Sequence, residues 1–147
     1  MKNNAKDVYY VAVKVFLRKG GKLFIFEDSF KHWDIPGGRI LPNEFNTPLE
    51  KILQRKVKEE LGSRIKYDLG KPVVFMRHER KERMPGGRKK ARIFAVGYRA
   101  KYIGGTIRLS KRHSRYLWIS VKNFKPEKYF SGGWLEGVQK YLKIAKK

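Results

Sequence analysis

Glu59 and Glu60 stand side by side near the end of a helical run, and Glu44 lies between that run and the pair Gly37-Gly38. Paired carboxylates with nearby backbone carbonyls suit a hard divalent cation, which takes oxygen ligands. Such a cation clamps phosphate oxygens and activates water. Arg55 precedes Glu59 by one helical turn, and its guanidinium stays charged and forks onto carboxylates, which makes it an organiser rather than a proton carrier. Lys56 brings an ammonium within one turn of both Glu59 and Glu60, where it opposes a metal ion. The plainer reading of Glu59 and Glu60 is a solvated helix end paired with Arg55, Lys56 or Lys58.

The elements around these residues follow from periodicity. Val8 to Leu17 is an apolar run rich in Val and Tyr and reads as a buried strand. RKGGK (Arg18 to Lys22) is a turn, KLFIFED a second strand, and HWDIP a short strand before a Gly37-Gly38 turn. Leu49, Ile52, Leu53, Val57 and Leu61 recur at helical spacing and mark the buried stripe of a helix. Thr47 is its expected N-cap, with Pro48 at the first helical position, Glu50 completing a capping box and Gly62 ending it. Long strands are expected near Pro72 to Glu79 and Ala91 to Tyr102, and shorter ones at Thr106 to Leu109 and Arg115 to Ser120. A closing helix is expected from about Gly132, capped by Ser131. Strands interrupted by one helix and closed by another predict an α/β sandwich around a mixed sheet.

The string from Gly37 to Gly62, GGRILPNEFNTPLEKILQRKVKEELG, resembles the Nudix box, whose pattern is G-x5-E-x7-R-E-U-x-E-E-x-G-U with U aliphatic. Gly38 and Glu44 match its opening, and Arg55, Val57, Glu59, Glu60 and Gly62 match its close. Three places depart from it. Ten residues rather than seven separate Glu44 from Arg55, the three-residue insertion falling within FNTP (Phe45 to Pro48). Lys56 replaces a glutamate that helps bind metal in the family, and Ser63 takes the final aliphatic place.

The resemblance implies a Nudix-type α/β/α sandwich and Mg²⁺-dependent hydrolysis of a nucleoside diphosphate linked to another moiety. It implies Mg²⁺ or Mn²⁺ held by the Gly38 carbonyl, Glu59 and Glu60. Glu44 would position or deprotonate the attacking water, or pair with Arg55. Activity is expected to be weakened by Lys56, since loss of even an outer partner costs about 10–100-fold in metal affinity or activity. Family members often add a late carboxylate after the long strands. Here SKRHSRY (Ser110 to Tyr116) offers none, the nearest candidates from the preceding hairpin are Glu79 and Glu82, and His113 is an alternative base. Phe30, Trp33 and Trp118 can stack a base or serve the core; no substrate-binding residue is assigned.

A length of 147 residues is expected to form one domain, residues 1–147, large enough to bury roughly two thirds of its unfolded surface. An aromatic content of 14% argues against disorder. The chain has no cysteine, so disulfides, thiolate metal sites and thiol catalysis are excluded. No apolar run approaches the ~20 residues of a membrane span, and MKNNAKDV lacks the apolar stretch of a signal peptide. A cytoplasmic protein without membrane partners is expected.

The formal charge of +23 attracts nucleic acid as well as phosphorylated metabolites. Three readings stand together: a solvated basic surface on an enzyme, a non-catalytic RNA-binding module of the same fold, and a deliberately resurfaced chain, given Lys56, Arg112 and Arg115 where the family often carries acids. Binding to unrelated nucleic acids should fall steeply with added salt, because each phosphate contact releases counterions. Affinity for one RNA that survives ~0.5 M salt in a fluorescence titration would overturn non-specific attraction as the account of the charge.

Overall fold

The structure, a computed structural model, describes residues 4–145; the first three residues of the MKNNAKDV segment lie outside it. Its elements run β1 (Tyr10–Lys19), β2 (Lys22–Asp28), β3 (Trp33–Asp34), β4 (Gly37–Arg39), α1 (Leu49–Leu61), β5 (Ile65–Lys81), β6 (Lys90–Gly105), β7 (His113–Ser120) and α2 (Gly132–Ala145). Seven strands form one mixed sheet with the central order β3-β2-β1-β6-β5, while β4 pairs with β1 and β7 with β2. β1 runs parallel to β6, and the chain between them includes α1. No helix among the described residues is long and apolar enough to cross a membrane.

The apolar run of β1 reflects burial on both faces. Val13, Val15 and Leu17 point to the α1 side, where they pack with Phe24, Phe26, Ile52, Leu53, Val57 and Leu61. Ala12 and Phe16 point to the α2 side, with Ile25, Met76, Ile93, Val138, Tyr141 and Leu142. The result is an α/β/α sandwich, as the alternation of elements predicts. Lys14 is the one charged residue in this strand's buried stretch, 5% exposed on the α2-facing side.

Several local expectations change. Helix α1 begins at Leu49 with Pro48, not Thr47, as N-cap, and no side-chain cap forms. Thr47 is drawn instead into the preceding turn, its N–H donating to the Glu44 carbonyl. Thr106 to Leu109 is not a strand. It crosses the end of α1, where Arg108 N–H donates to the Leu61 carbonyl and Ser110 N–H to that of Glu60. These bonds satisfy carbonyls that a helix terminus leaves unpaired. Ser131 gives α2 only a backbone carbonyl, accepting from Leu135 N–H. The N–H groups of Gly133 and Trp134 point at Nδ1 of His78, at 3.1 and 3.4 Å. β5 extends back to Ile65, absorbing the Gly70 to Pro72 stretch through register shifts.

The Gly37-Gly38 pair is not a free turn but part of β4, opposite Lys14 and Val13. Gly37 has φ +139°, and a Cβ there would lie 2.1 Å from the Val13 carbonyl oxygen. Only glycine lets β4 approach β1 so closely.

Leu53 is fully buried under β1 and anchors α1. Leu53→Ala should lower unfolding free energy by about 2–5 kcal/mol in urea denaturation. A loss below ~1 kcal/mol would mean that α1 is not held by this core.

Candidate active site

The ends of β4 and α1 meet beside Lys14. Glu60 is buried in the last turn of α1, and its Oε1 accepts the Gly37 N–H at 2.8 Å. Its Oε2 lies 3.9 Å from Nε2 of His113, whose ring stacks on Phe26 with centroids 3.8 Å apart. His113 also contacts the Ser110 hydroxyl through Nδ1, at 3.1 Å. Burial pushes the Glu60 carboxyl up to about 7 and draws the His113 imidazole below its ordinary value.

Lys14 Nζ donates to both carboxylate oxygens of Asp34 at 3.0 Å and to the Ile35 carbonyl at 3.2 Å. A buried ammonium is tolerated when it is paired in this way. Lys14 and Lys56 both favour the charged form of Glu60, while Asp34 opposes it.

The second half of the site is a chain of ion pairs. Glu44 closes a short 3₁₀ turn, Pro42–Glu44, and is buried. Arg55 forks onto it, Nε to Oε2 at 2.7 Å and Nη2 to Oε1 at 2.8 Å, while the Leu41 N–H donates to Oε1 at 2.8 Å. The Arg55 hydrogen bonds hold Glu44 below the usual carboxylate range. Nη1 of Arg55 then reaches Oε1 of Glu59 at 2.9 Å, and Lys56 Nζ lies 3.3 Å from Oε2 of Glu59. Arg55 is likewise the largest influence lowering Glu59. The FNTP insertion leaves Glu44 within reach of Arg55, with Phe45 projecting into solvent at 90% exposure.

The expected residues therefore converge. Gly38, Glu44, Arg55, Glu59 and Glu60 lie around one end of α1, but they are differently engaged. Both oxygens of Glu59 face cations, both oxygens of Glu44 accept from donors, and Glu60 is tied to Gly37. The Lys56 stem lies across Gly38, with Cε 2.3 Å from where a Cβ on Gly38 would sit. Gly38 thus makes room for a lysine. Among the described residues, no three His, Asp or Glu side chains gather to hold an ion. Tested on its donor set, this arrangement does not fit a divalent cation, because Lys56 supplies the positive charge there.

Glu79 and Glu82 do not supply a late carboxylate to this cluster. Glu79 pairs with Arg92 and Lys90, and Glu82 takes a fork from Arg39 at 2.7 Å on both oxygens. Sequence reasoning missed Lys14 and Asp34. The available signal was a lone lysine inside the apolar run YVAVKVFL. Trp33 and Trp118 are half-buried and Phe30 is exposed.

A mixed sheet between two helices, with these residues at the end of α1, defines a Nudix-type α/β/α sandwich. The NUDIX domain family profile matches residues 8–135. The chain belongs to that family. No curated protein matches it. Among solved structures it is similar to a MutT protein from Methanosarcina mazei Go1, with TM-score 0.75, 20% identity, and coverage of 98% of this chain and 100% of that one. It is also similar to a NUDIX-family hydrolase from Clostridium perfringens (TM-score 0.67, 16% identity, 93% and 98% covered). A third is an ADP-ribose pyrophosphatase from Streptococcus suis 89-1591 (TM-score 0.66, 13% identity, 95% and 94% covered). At these identities the likeness is one of fold.

Glu60 generates a pH prediction. Its carboxyl is about 7 in the fold against an ordinary 4.5, so the fold favours the neutral form. Its ionisation therefore withdraws stability as pH rises from about 4.5 through about 7. Glu60→Gln keeps an acceptor for Gly37 without the charge. It should be more stable than the parent by ~3 kcal/mol above that window and equal to it below. Thermal and urea unfolding at pH 4.5 and pH 8 check this, and a pH-independent difference would refute the burial account.

Proposed function

We propose that this NUDIX domain binds a nucleoside diphosphate linked to another moiety and hydrolyses its diphosphate weakly, because Lys56 stands in the place of a divalent cation. The observation that carries this reading is the closed chain of charges Glu44–Arg55–Glu59–Lys56. Each carboxylate in it already has its cation, so Mg²⁺ or Mn²⁺ must displace an internal partner in order to bind. Glu59, Glu60 and the Gly38 carbonyl are the groups such an ion would have to recruit. In this reading the NUDIX domain acts on a nucleotide-type molecule in the cytoplasm.

In this reading Glu44 and Arg55 are positioning residues. The fork between them orients Arg55 toward Glu59 and leaves Glu44 too weak a base to take a proton near neutrality. An ammonium has three donors, and the pair with Glu59 leaves Lys56 others for a phosphate oxygen as a point charge. Water attacks one phosphorus, the bridging P–O bond breaks, and the departing phosphate carries away the bonding pair. Glu60, beside His113, has the proton affinity to accept the proton released by water. The printed names of two structural relatives, an ADP-ribose pyrophosphatase and a UDP-X diphosphatase, support the substrate class.

Lys56→Glu tests the reading. It removes one charge, adds the opposite one and supplies a third oxygen donor within a turn of Glu59 and Glu60. Mg²⁺ affinity by calorimetry should rise on the order of tenfold or more, and phosphate release from a nucleotide panel should appear or increase. Stability should change by no more than ~1 kcal/mol, since the Lys56–Glu59 pair is partly exposed. Equal affinity and equal turnover in both proteins would show that Lys56 does not obstruct the site. Absence of turnover in both, together with salt-resistant binding of one RNA, would favour the non-catalytic RNA-binding module.

A further inference from the structure

Away from the α1 site, a concentration of positive charge lies beside the last described turn of α2. β1 places Lys14, Phe16 and Arg18 on one face, so Arg18 sits ~13 Å along the strand from Lys14. Phe16 and Tyr141 stack between them, with ring centroids 4.2 Å apart and planes 1° from parallel. Beyond that stack opens a cleft of about 480 Å³, within the range of small-molecule sites.

Three cations line the cleft: Arg18 from β1, and Arg99 and Lys101 from β6. None of them forms an ion pair among the described residues. Asp68, which lies opposite Lys101 in the β5–β6 ladder, is the acid on the wall, and it too forms no ion pair. The remaining wall is apolar, formed by Leu69, Val73 and Ile144.

Arg18 is held in place by three hydrogen bonds. Its Nε and Nη2 donate to the Gly20 carbonyl at 3.1 and 2.9 Å, and its Nη1 contacts the Tyr141 hydroxyl at 3.3 Å. That leaves two of its five N–H donors uncommitted. Arg99 crosses β5 at Gly70, where a Cβ would lie 2.8 Å from the Arg99 Cγ, so a glycine admits its stem. Burial raises the Tyr141 phenol, while Arg18 and then Arg99 draw it down. No Asp or Glu occurs between Glu82 and Glu127, so β6 brings no counter-charge of its own.

Three cations against one acid, with an apolar surface beside them, suit an amphiphilic anion. We propose that this cleft is a second ligand site, for an organic phosphate whose head meets Arg18, Arg99 and Lys101 and whose apolar body lies on Leu69, Val73 and Ile144. The cations stand on β1 and β6 and Ile144 on α2, which sets the head against the sheet and the body toward the helix. The site is independent of the NUDIX box and of the activity proposed for it.

Hexyl phosphate is the probe, with inorganic phosphate and hexanol as its two separated halves. Calorimetry should give one saturable site for hexyl phosphate and at least tenfold weaker binding of either half. Amide shifts in an NMR titration should fall on residues 99–101 and 141–145. The double variant Arg99→Glu/Lys101→Glu should lose on the order of tenfold or more in affinity, as expected for charge-assisted contacts. Arg83→Glu/Lys89→Glu, with the same change in net charge at the far end of the β5–β6 hairpin, should stay within about twofold if screening weakens distant exposed charges. Ile144→Ser should weaken hexyl phosphate but not inorganic phosphate. Equal losses in the two double variants would reduce the binding to general charge and overturn the proposal. So would shifts confined to Gly37, Gly38 and Lys56, or the absence of saturable binding.

Discussion

The hydrogen bond from the Gly37 N–H to Glu60 ties the last turn of α1 to β4, and the arrangement of the site depends on it. It forms because Gly37 has no Cβ to strike the Val13 carbonyl, so β4 lies directly against β1. With Glu60 pinned there, the helical repeat fixes the rest. Lys56, one turn earlier, falls across Gly38, and Arg55 turns toward Glu44 and Glu59. The segment after β6 secures the same helix end from the other side, through the carbonyls of Glu60 and Leu61.

Electrostatics decides what this geometry offers. Acids are scarce in the chain, yet the site holds Asp34, Glu44, Glu59 and Glu60 together. Each of the first three is matched by a cation: Lys14, Arg55, and Arg55 with Lys56. Glu60 is buried without such a match, and its desolvation pushes the carboxyl up to about 7, where it can both give and take a proton near neutrality. A site neutralised from within needs no external ion for charge balance. The large positive charge lies elsewhere, on exposed strand and loop positions, where it governs encounters with polyanions rather than the chemistry at α1.

The two ends of α2 play opposite parts. At its start, His78 accepts from the first N–H groups, and Trp134 stacks on the His78 ring with centroids 4.6 Å apart. Near its end, Tyr141 closes the α2-side core over Phe16 and touches Arg18. The Phe16–Tyr141 stack thus separates the Lys14 side of the sheet from the cationic cleft.

Much of the fold was legible in the chain alone. Apolar runs and the stripe of Leu49, Ile52, Leu53, Val57 and Leu61 determined strands, helix and sandwich, because burial imposes its period on sequence. The box residues also announced themselves, since i, i+3 and i+4 neighbours follow from helix geometry. Thr106 to Leu109 misled because apolar alternation records which side is buried, not what the backbone bonds to, and here it bonds to a helix end. Lys14, Asp34 and His113 lie in three separate segments, and no local pattern states that they meet Glu60. Their convergence, the proton affinity of Glu60 and the resting place of Lys56 over Gly38 were decided by tertiary structure, because desolvation and charge pairing depend on distances that only the folded chain sets.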